Sequence, residues 1–146
     1  MGVREMWKGF RPLPADILER LERLSSVFRE MGVDLAYLFG SLAERGGGED
    51  VDVAVLGEAL DTQALRIRLQ GELCTERLHL VNLREASLTV NFEVIRTGRI
   101  LFKTDDEAEN RFEGRVLQAF QDRAPARHRQ KELLAERTRA WLSRST

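Results

Sequence analysis

The stretch Leu38–Leu56, LFGSLAERGGGEDVDVAVL, decides how this chain is to be read. An apolar run ends at Gly40 and Ser41, the eight residues 42–49 follow with Gly46, Gly47 and Gly48 among them, and a second apolar run carries Asp50 and Asp52. A plain hairpin also reads apolar, glycine, apolar, with Gly-Ser as its turn. The alternation from Asp50 onward sets this stretch apart. Val51, Val53 and Val55 fall on one face of a strand, and Asp50, Asp52 and Ala54 fall on the other. Upstream, residues 33–39 (VDLAYLF) are short, apolar and bounded by glycines, the signature of a strand that ends at Gly40-Ser41.

Two carboxylates on one strand face lie about 7 Å apart along the chain, close enough to share one or two hard cations. Unpaired, they repel one another. Mg²⁺ relieves that repulsion, because it prefers oxygen ligands and commonly binds through one or two carboxylates while nucleotide phosphates and water complete its shell. A Gly-Ser pair leaving a strand suits the phosphates: glycine admits close backbone approach, and N–H groups and the hydroxyl donate to phosphate oxygens. Residues Leu42 to Arg45 are expected to open a helical turn there. Taken together, the loop grips phosphates and the acids hold metal, which points to nucleotidyl transfer. Each fragment alone has a plainer reading, a turn for Gly-Ser and a solvated edge-strand pair for Asp-X-Asp; their joint placement is the more specific signal.

Outward from this core, Ile17, Leu18, Leu21, Leu24, Phe28 and Met31 recur at helical spacing, giving an amphipathic helix over 15–31 closed by Gly32. After the acidic strand, residues 60–74 read as a helix with Asp61 or Thr62 as its N-cap, interrupted at Gly71. Arg77–Leu83 reads as a third strand. Leu88, Phe92 and Ile95 then mark a helix capped by Gly98, and a brief ILF segment follows. Asp105 caps a further helix with a Phe112, Val116 and Phe120 stripe, until Pro125 interrupts and a more polar helix continues towards Trp141 and Leu142. Strands separated by helices give an α/β (α+β) fold, a small mixed β-sheet flanked by helices, whose strand order is not readable.

The 146 residues, 42% hydrophobic and 32% charged, fit one compact domain. A formal net charge of -1 leaves no global attraction to nucleic acid or an anionic membrane. Cys74 is the sole cysteine, which excludes an internal disulfide and a multi-cysteine metal site. No apolar stretch has the length of a membrane span and the N-terminus lacks a signal-peptide core, so a cytoplasmic protein is expected.

The segment YLFGSLAERGGGEDVDVAVL resembles the Gly-Ser…Asp-X-Asp signature of the DNA polymerase beta nucleotidyltransferase superfamily, and in particular the minimal nucleotidyltransferases (MNT) that act as antitoxins to HEPN-domain toxins. LHLVNLREAS, FEVIRTGRILF and DEAENRFEGRVLQAF are similar in order and spacing to the later elements of those proteins, so the resemblance runs from about residue 15 to about residue 122. It implies a nucleotidyltransferase fold with a C-terminal helix or helices. It also implies that Gly40 and Ser41 hold ATP phosphates, that Asp50 and Asp52 are catalytic and bind magnesium, and that AMP units pass from ATP to a HEPN toxin in a hetero-oligomer. The loop between Ser41 and Asp50 is shorter than usual for the family. A third family carboxylate is expected on the strand RLHLVNL, where His79 stands in the matching place and no acid lies between Arg77 and Leu83.

A third acid helps hold metal and deprotonate the attacking hydroxyl, so its absence weakens chemistry more than nucleotide binding. The rival expectation is therefore a degenerate nucleotidyltransferase that neutralises its toxin by binding alone. A small-molecule transferase ranks last, because the chain has little room for extra substrate-binding segments. His79 reads as a non-ligating strand histidine, with a general base or a ligand to a softer ion as its alternative. The domain is taken as 1–146, with 1–14 an extension and 123–146 a basic helical tail. That tail is assigned to toxin docking rather than to nucleic acid. His128 is placed at the surface, and Met1, Met6 and Trp7 fix no element.

Overall fold

The computed structural model describes residues 12–123 and 135–142. Helices α1 (Ile17–Glu22) and α2 (Ser25–Glu30) lead into strand β1 (Leu35–Phe39), helix α3 (Gly40–Arg45) and strand β2 (Val51–Leu56). Helix α4 (Thr62–Leu73), β3 (Leu78–Asn82), α5 (Leu88–Thr97), β4 (Arg99–Lys103) and α6 (Asp106–Asp122) follow, and a last helix, α7, spans 135–142. The four strands form one mixed sheet in the order β3-β2-β1-β4, with β1 antiparallel to both β2 and β4 and β2 parallel to β3.

Local chemistry starts the helices where the sequence says it should. Asp61 accepts from Ala64 N at 3.0 Å, Ser87 from Val90 N at 3.2 Å and Asp105 from Ala108 N at 2.7 Å, each satisfying an N–H that the first turn leaves without a partner. Asp61, not Thr62, is thus the cap of α4. That helix runs through Gly71 without a break, because adjoining turns carry enough packing at Leu65, Leu69 and Leu73 to outweigh one glycine.

Two expectations are corrected. The single helix over 15–31 is two helices: Arg23 N bonds Arg20 O and Leu24 N bonds Leu21 O, three residues back, so the chain tightens and redirects there. Ser25 and Ser26 follow at once, residues whose hydroxyls compete for backbone groups. The redirection lets Leu24, Val27 and Phe28 bury beside Ile17 and Leu21. The brief ILF segment, in turn, is the middle of β4, a full edge strand paired to β1 from Leu38↔Arg99 to Leu35↔Lys103. The first and third strands are shorter than their apolar runs, β1 beginning at Leu35 and β3 ending at Asn82.

Each sheet face is covered. On one side Ala36, Leu38, Val51, Val53, Val55 and Leu78 pack against α1, α2 and α4. On the other, Leu35, Tyr37 and Ala54 meet Phe92 and Ile95 of α5 and Phe112 and Val116 of α6, with Trp141 of α7 against the same cluster. In this second layer the Tyr37 hydroxyl donates to Glu113 Oε1 at 2.6 Å, and both residues are buried. Burial first, then the bond to Glu113 and its charge, hold the Tyr37 phenol far above its ordinary range.

A phenol whose proton is held more tightly in the folded state stabilises the fold fully below its unfolded value, and that contribution drains away as pH rises past it. Tyr37→Phe removes the donor from a buried carboxylate and should cost about 1–3 kcal/mol in urea denaturation at neutral pH. The gap between wild type and variant should narrow above pH 10, the usual phenol value.

Candidate functional site

The register across three strands builds the site. Phe39 of β1 stands opposite Asp52 of β2, and Asp52 stands opposite His79 of the parallel β3, so the three side chains share the face that also carries Tyr37 and Ala54. Because β1 ends at Phe39, the next residue turns directly beneath the Asp52 carboxylate. Gly40 takes φ +75°, and a Cβ added there would run into Asp52 Oδ2. Only glycine satisfies both demands, a left-handed backbone and no side chain. The loop then folds back: a Cβ on Gly48 would run into Ser41 Oγ, so the third glycine of the run lies against the hydroxyl of the Gly-Ser pair. As the sequence suggested, a helical turn, α3, opens here, and its first turn carries no side-chain cap.

Asp50 immediately precedes β2, is 8% exposed, and makes contacts within the fold. The strand ends that hold it are tied together by Val51 N to Arg77 O at 2.8 Å and by the Arg77 guanidinium to Glu49 O at 2.9 Å. Asp52 shows only 14% of its side chain, while the imidazole of His79 is half exposed. His79 Nδ1 lies 3.0 Å from Asp52 Oδ1, and the two rings of Phe39 and His79 sit with centroids 6.3 Å apart. The Asp52 hydrogen bond comes first among the causes that hold the His79 imidazole above its ordinary value; burial opposes it, the charges of Asp52 and Asp50 add to it, and Arg66 works against it. Gly40 thus closes directly on Asp52, and the charge of Asp50 also acts on the same imidazole.

Two carboxylate groups and a cradle that a single Cβ would fill suit a hard cation whose remaining ligands come from phosphate and water. Among the described residues no group of three or more His, Cys, Asp and Glu is gathered to hold a metal by itself, so Asp50, Asp52 and His79 do not form a closed three-ligand centre. His79, read from sequence as a non-ligating strand residue, proves to be a hydrogen-bond partner of Asp52. That role was invisible without the β2–β3 register, as were the positions of Phe39, Arg66 and Arg77. Met1, Met6, Trp7, Pro125 and His128 lie outside the described residues, as does most of the basic run beyond Arg123. Of that run Arg137 and Arg139 are placed, and the charge of Arg137 helps hold the Glu93 carboxyl below its ordinary range, after the Arg96 bond that dominates. Among the described residues no helix is long and apolar enough to cross a membrane.

A strand, a Gly-Ser turn into a short helix and a second strand bearing paired acids at the turn define a nucleotidyltransferase-type fold, and the comparison with known families agrees. Residues 22–107, more than half of the chain, match the family described as Polymerase beta, Nucleotidyltransferase, and the chain belongs to that family. No curated protein sequence matches it. Among solved structures, it is similar to a chain in the complex of tri-AMPylated Shewanella oneidensis HEPN toxin with MNT antitoxin, at 25% identity and TM-score 0.59 over 74% of this chain and 89% of the other. A toxin-antitoxin structure with AMP-PNP matches at 26% identity and TM-score 0.58 over 75% of this chain and 88% of that one. A toxin-antitoxin MntA-HpeT mutant, with two aspartates two positions apart changed to glutamate, matches at 27% identity and TM-score 0.57 over 68% and 84%.

Substitution at the glycines separates the two environments. Gly40→Ala should destabilise the protein by about 1–3 kcal/mol in denaturant titration, because it strains the turn and pushes against Asp52. Gly47→Ala, where a Cβ meets nothing within 4 Å, should stay within about 0.5 kcal/mol of wild type.

Proposed function

We propose that this protein is an MNT-type antitoxin that transfers AMP from ATP to a HEPN-domain toxin. The observation that carries the proposal is the Asp52 carboxylate seated against the Gly40 turn, with Asp50 two residues before it in the chain. Family membership supports the reading, and so do the similar complexes, one with an AMPylated HEPN toxin and another with AMP-PNP. A pair of aspartates with the spacing of Asp50 and Asp52 is the pair exchanged in a third complex.

In this assignment the backbone N–H groups of Gly40 and Ser41 and the Ser41 hydroxyl donate to phosphate oxygens and fix the triphosphate. Asp50 and Asp52 hold Mg²⁺, which when bound neutralises charge developing at the α-phosphoryl group. A toxin hydroxyl oxygen bonds to the α-phosphorus, the bond to the β-phosphate oxygen breaks, pyrophosphate leaves and the hydroxyl proton passes to water. His79 steadies Asp52 through Nδ1. The chain works as one domain in a cytoplasmic hetero-oligomer with its toxin, and the basic C-terminal tail contributes to docking.

The second reading is a toxin-binding protein without catalysis, and one observation favours it: the parallel register puts His79, not an acid, opposite Asp52. Incubation with the HEPN protein encoded beside it, ATP and Mg²⁺, followed by intact-mass measurement of that partner, separates the two. AMP-sized increments that disappear with Asp52→Ala establish the enzyme; an inhibited but unmodified partner establishes the binder. His79→Asp should raise the rate of AMP addition by roughly tenfold or more, because it restores a carboxylate where the family carries one.

A further inference from the structure

The Asp52–His79 contact bears on which ion the site takes. In the parallel register Asp52 of β2 faces His79 of β3, and His79 Nδ1 stands 3.0 Å from Asp52 Oδ1. Two donors that share one ion at about 2.1 Å and at a right angle stand about 3.0 Å apart, so the pair already has the spacing of neighbouring ligands. The imidazole is half exposed, which leaves the other positions of such an ion to water or phosphate. No group of three or more His, Cys, Asp and Glu is gathered there among the described residues, so the protein supplies a pair of donors and no closed cage.

The imidazole is placed from two sides. The register sets it beside Asp52, and the Phe39 ring flanks it with centroids 6.3 Å apart. With its proton on Nδ1 the ring donates to the carboxylate. With the proton passed through solvent to Nε2, the Nδ1 lone pair is free for an ion that Asp52 also holds.

The donor set then decides between ions. Mg²⁺ demands oxygen ligands, so it has to displace the imidazole from Asp52 to use that carboxylate fully. A divalent first-row transition ion accepts imidazole together with carboxylate, and it gains a ligand where Mg²⁺ meets a competitor. Asp50 and Arg66, whose opposite charges both reach this imidazole, act on any dication alike, so neither sets the preference. Resting on the assignment of Asp52 as a metal ligand under the proposed function, we infer that His79 is the residue that sets metal selectivity. It turns the Asp52 seat from Mg²⁺ towards a divalent transition ion held by Asp52 Oδ1 and His79 Nδ1.

The test uses the full chain without nucleotide or toxin, stripped of metal and titrated with Zn²⁺ or Mg²⁺ by calorimetry. The quantity read is the ratio of the two affinities, because Zn²⁺ outranks Mg²⁺ at most sites that contain nitrogen. His79→Ala should lower that ratio at least roughly tenfold, and His79→Asp should lower it as much while raising Mg²⁺ affinity. The chain has two histidines, so in a His128→Asn background the remaining imidazole reports directly by long-range proton–nitrogen NMR. Its Nδ1 signal should shift with Zn²⁺ and not with Mg²⁺, and Asp52→Asn should abolish the shift, which binding at a lone histidine would retain. Circular dichroism and melting curves check that each variant is folded. A ratio unchanged in both His79 variants, an Nδ1 signal that Zn²⁺ leaves in place, or a shift that survives Asp52→Asn overturns the inference. A toxin left unmodified with every ion sinks the transferase reading alone, since ion selectivity is measured without ATP.

Discussion

The site depends on one steric coincidence, that β1 stops where β2 presents Asp52. The antiparallel register sets Phe39 opposite Asp52, so the residue after Phe39 must turn under a carboxylate that is largely buried. A left-handed glycine is the solution, and once Gly40 adopts it the chain is aimed into α3, with the Ser41 hydroxyl against Gly48. The rest of the molecule serves that register. The apolar partners of β1 and β2 on the α1/α2/α4 face lock the strands against sliding, since a slip of one residue would turn Asp52 into the core and Val53 out of it.

What was legible in the sequence follows from whether the signal is local. The alternation of Val51, Val53 and Val55 with the acids depends on a period of two, and the Asp61 and Asp105 caps depend on a side chain reaching three residues ahead, so both survive without tertiary knowledge. The break after Arg23 was hidden because Leu24, Phe28 and Met31 keep helical spacing across it; a tightened turn shifts the helix axis while leaving the apolar stripe in phase. β4 was hidden because five residues with only three apolar ones become a strand through pairing to β1, a contact more than sixty residues away in the chain. The acids and the Gly-Ser pair were therefore readable, whereas the partners of Asp52 were not: His79 reaches it only through a parallel pairing whose crossover is α4.

That pairing also decides the electrostatics. A carboxylate opposite Asp52 would place a third negative charge at the hollow, strengthening a cation seat and repelling a triphosphate that arrives without its metal. The His79 imidazole there leaves two carboxylates and hydrogen-bonds one of them, so Asp52 has a protein partner in the absence of any cation. In the proposed site Mg²⁺ would compete with His79 Nδ1 for Asp52, while phosphates would meet one less repulsion. Under the proposed function, a histidine at this position would shift the balance from Mg²⁺ affinity towards nucleotide affinity.

Asp52 and Leu56 stand at opposite ends of one face of β2, with Ala54 between them. Tyr37 and Glu113 fill the middle, joined by a 2.6 Å bond between β1 and α6 that no ligand can enter without breaking. Towards Gly40 the face carries Asp52; towards Leu56 it borders a groove lined by residues of α5 and α6, Arg111 and Arg115 among them. A buried polar bridge placed midway therefore does more than stabilise the layer. It divides the Asp52 end of the face from the Leu56 end, on a strand that carries Leu35, Tyr37 and Phe39 on one continuous face.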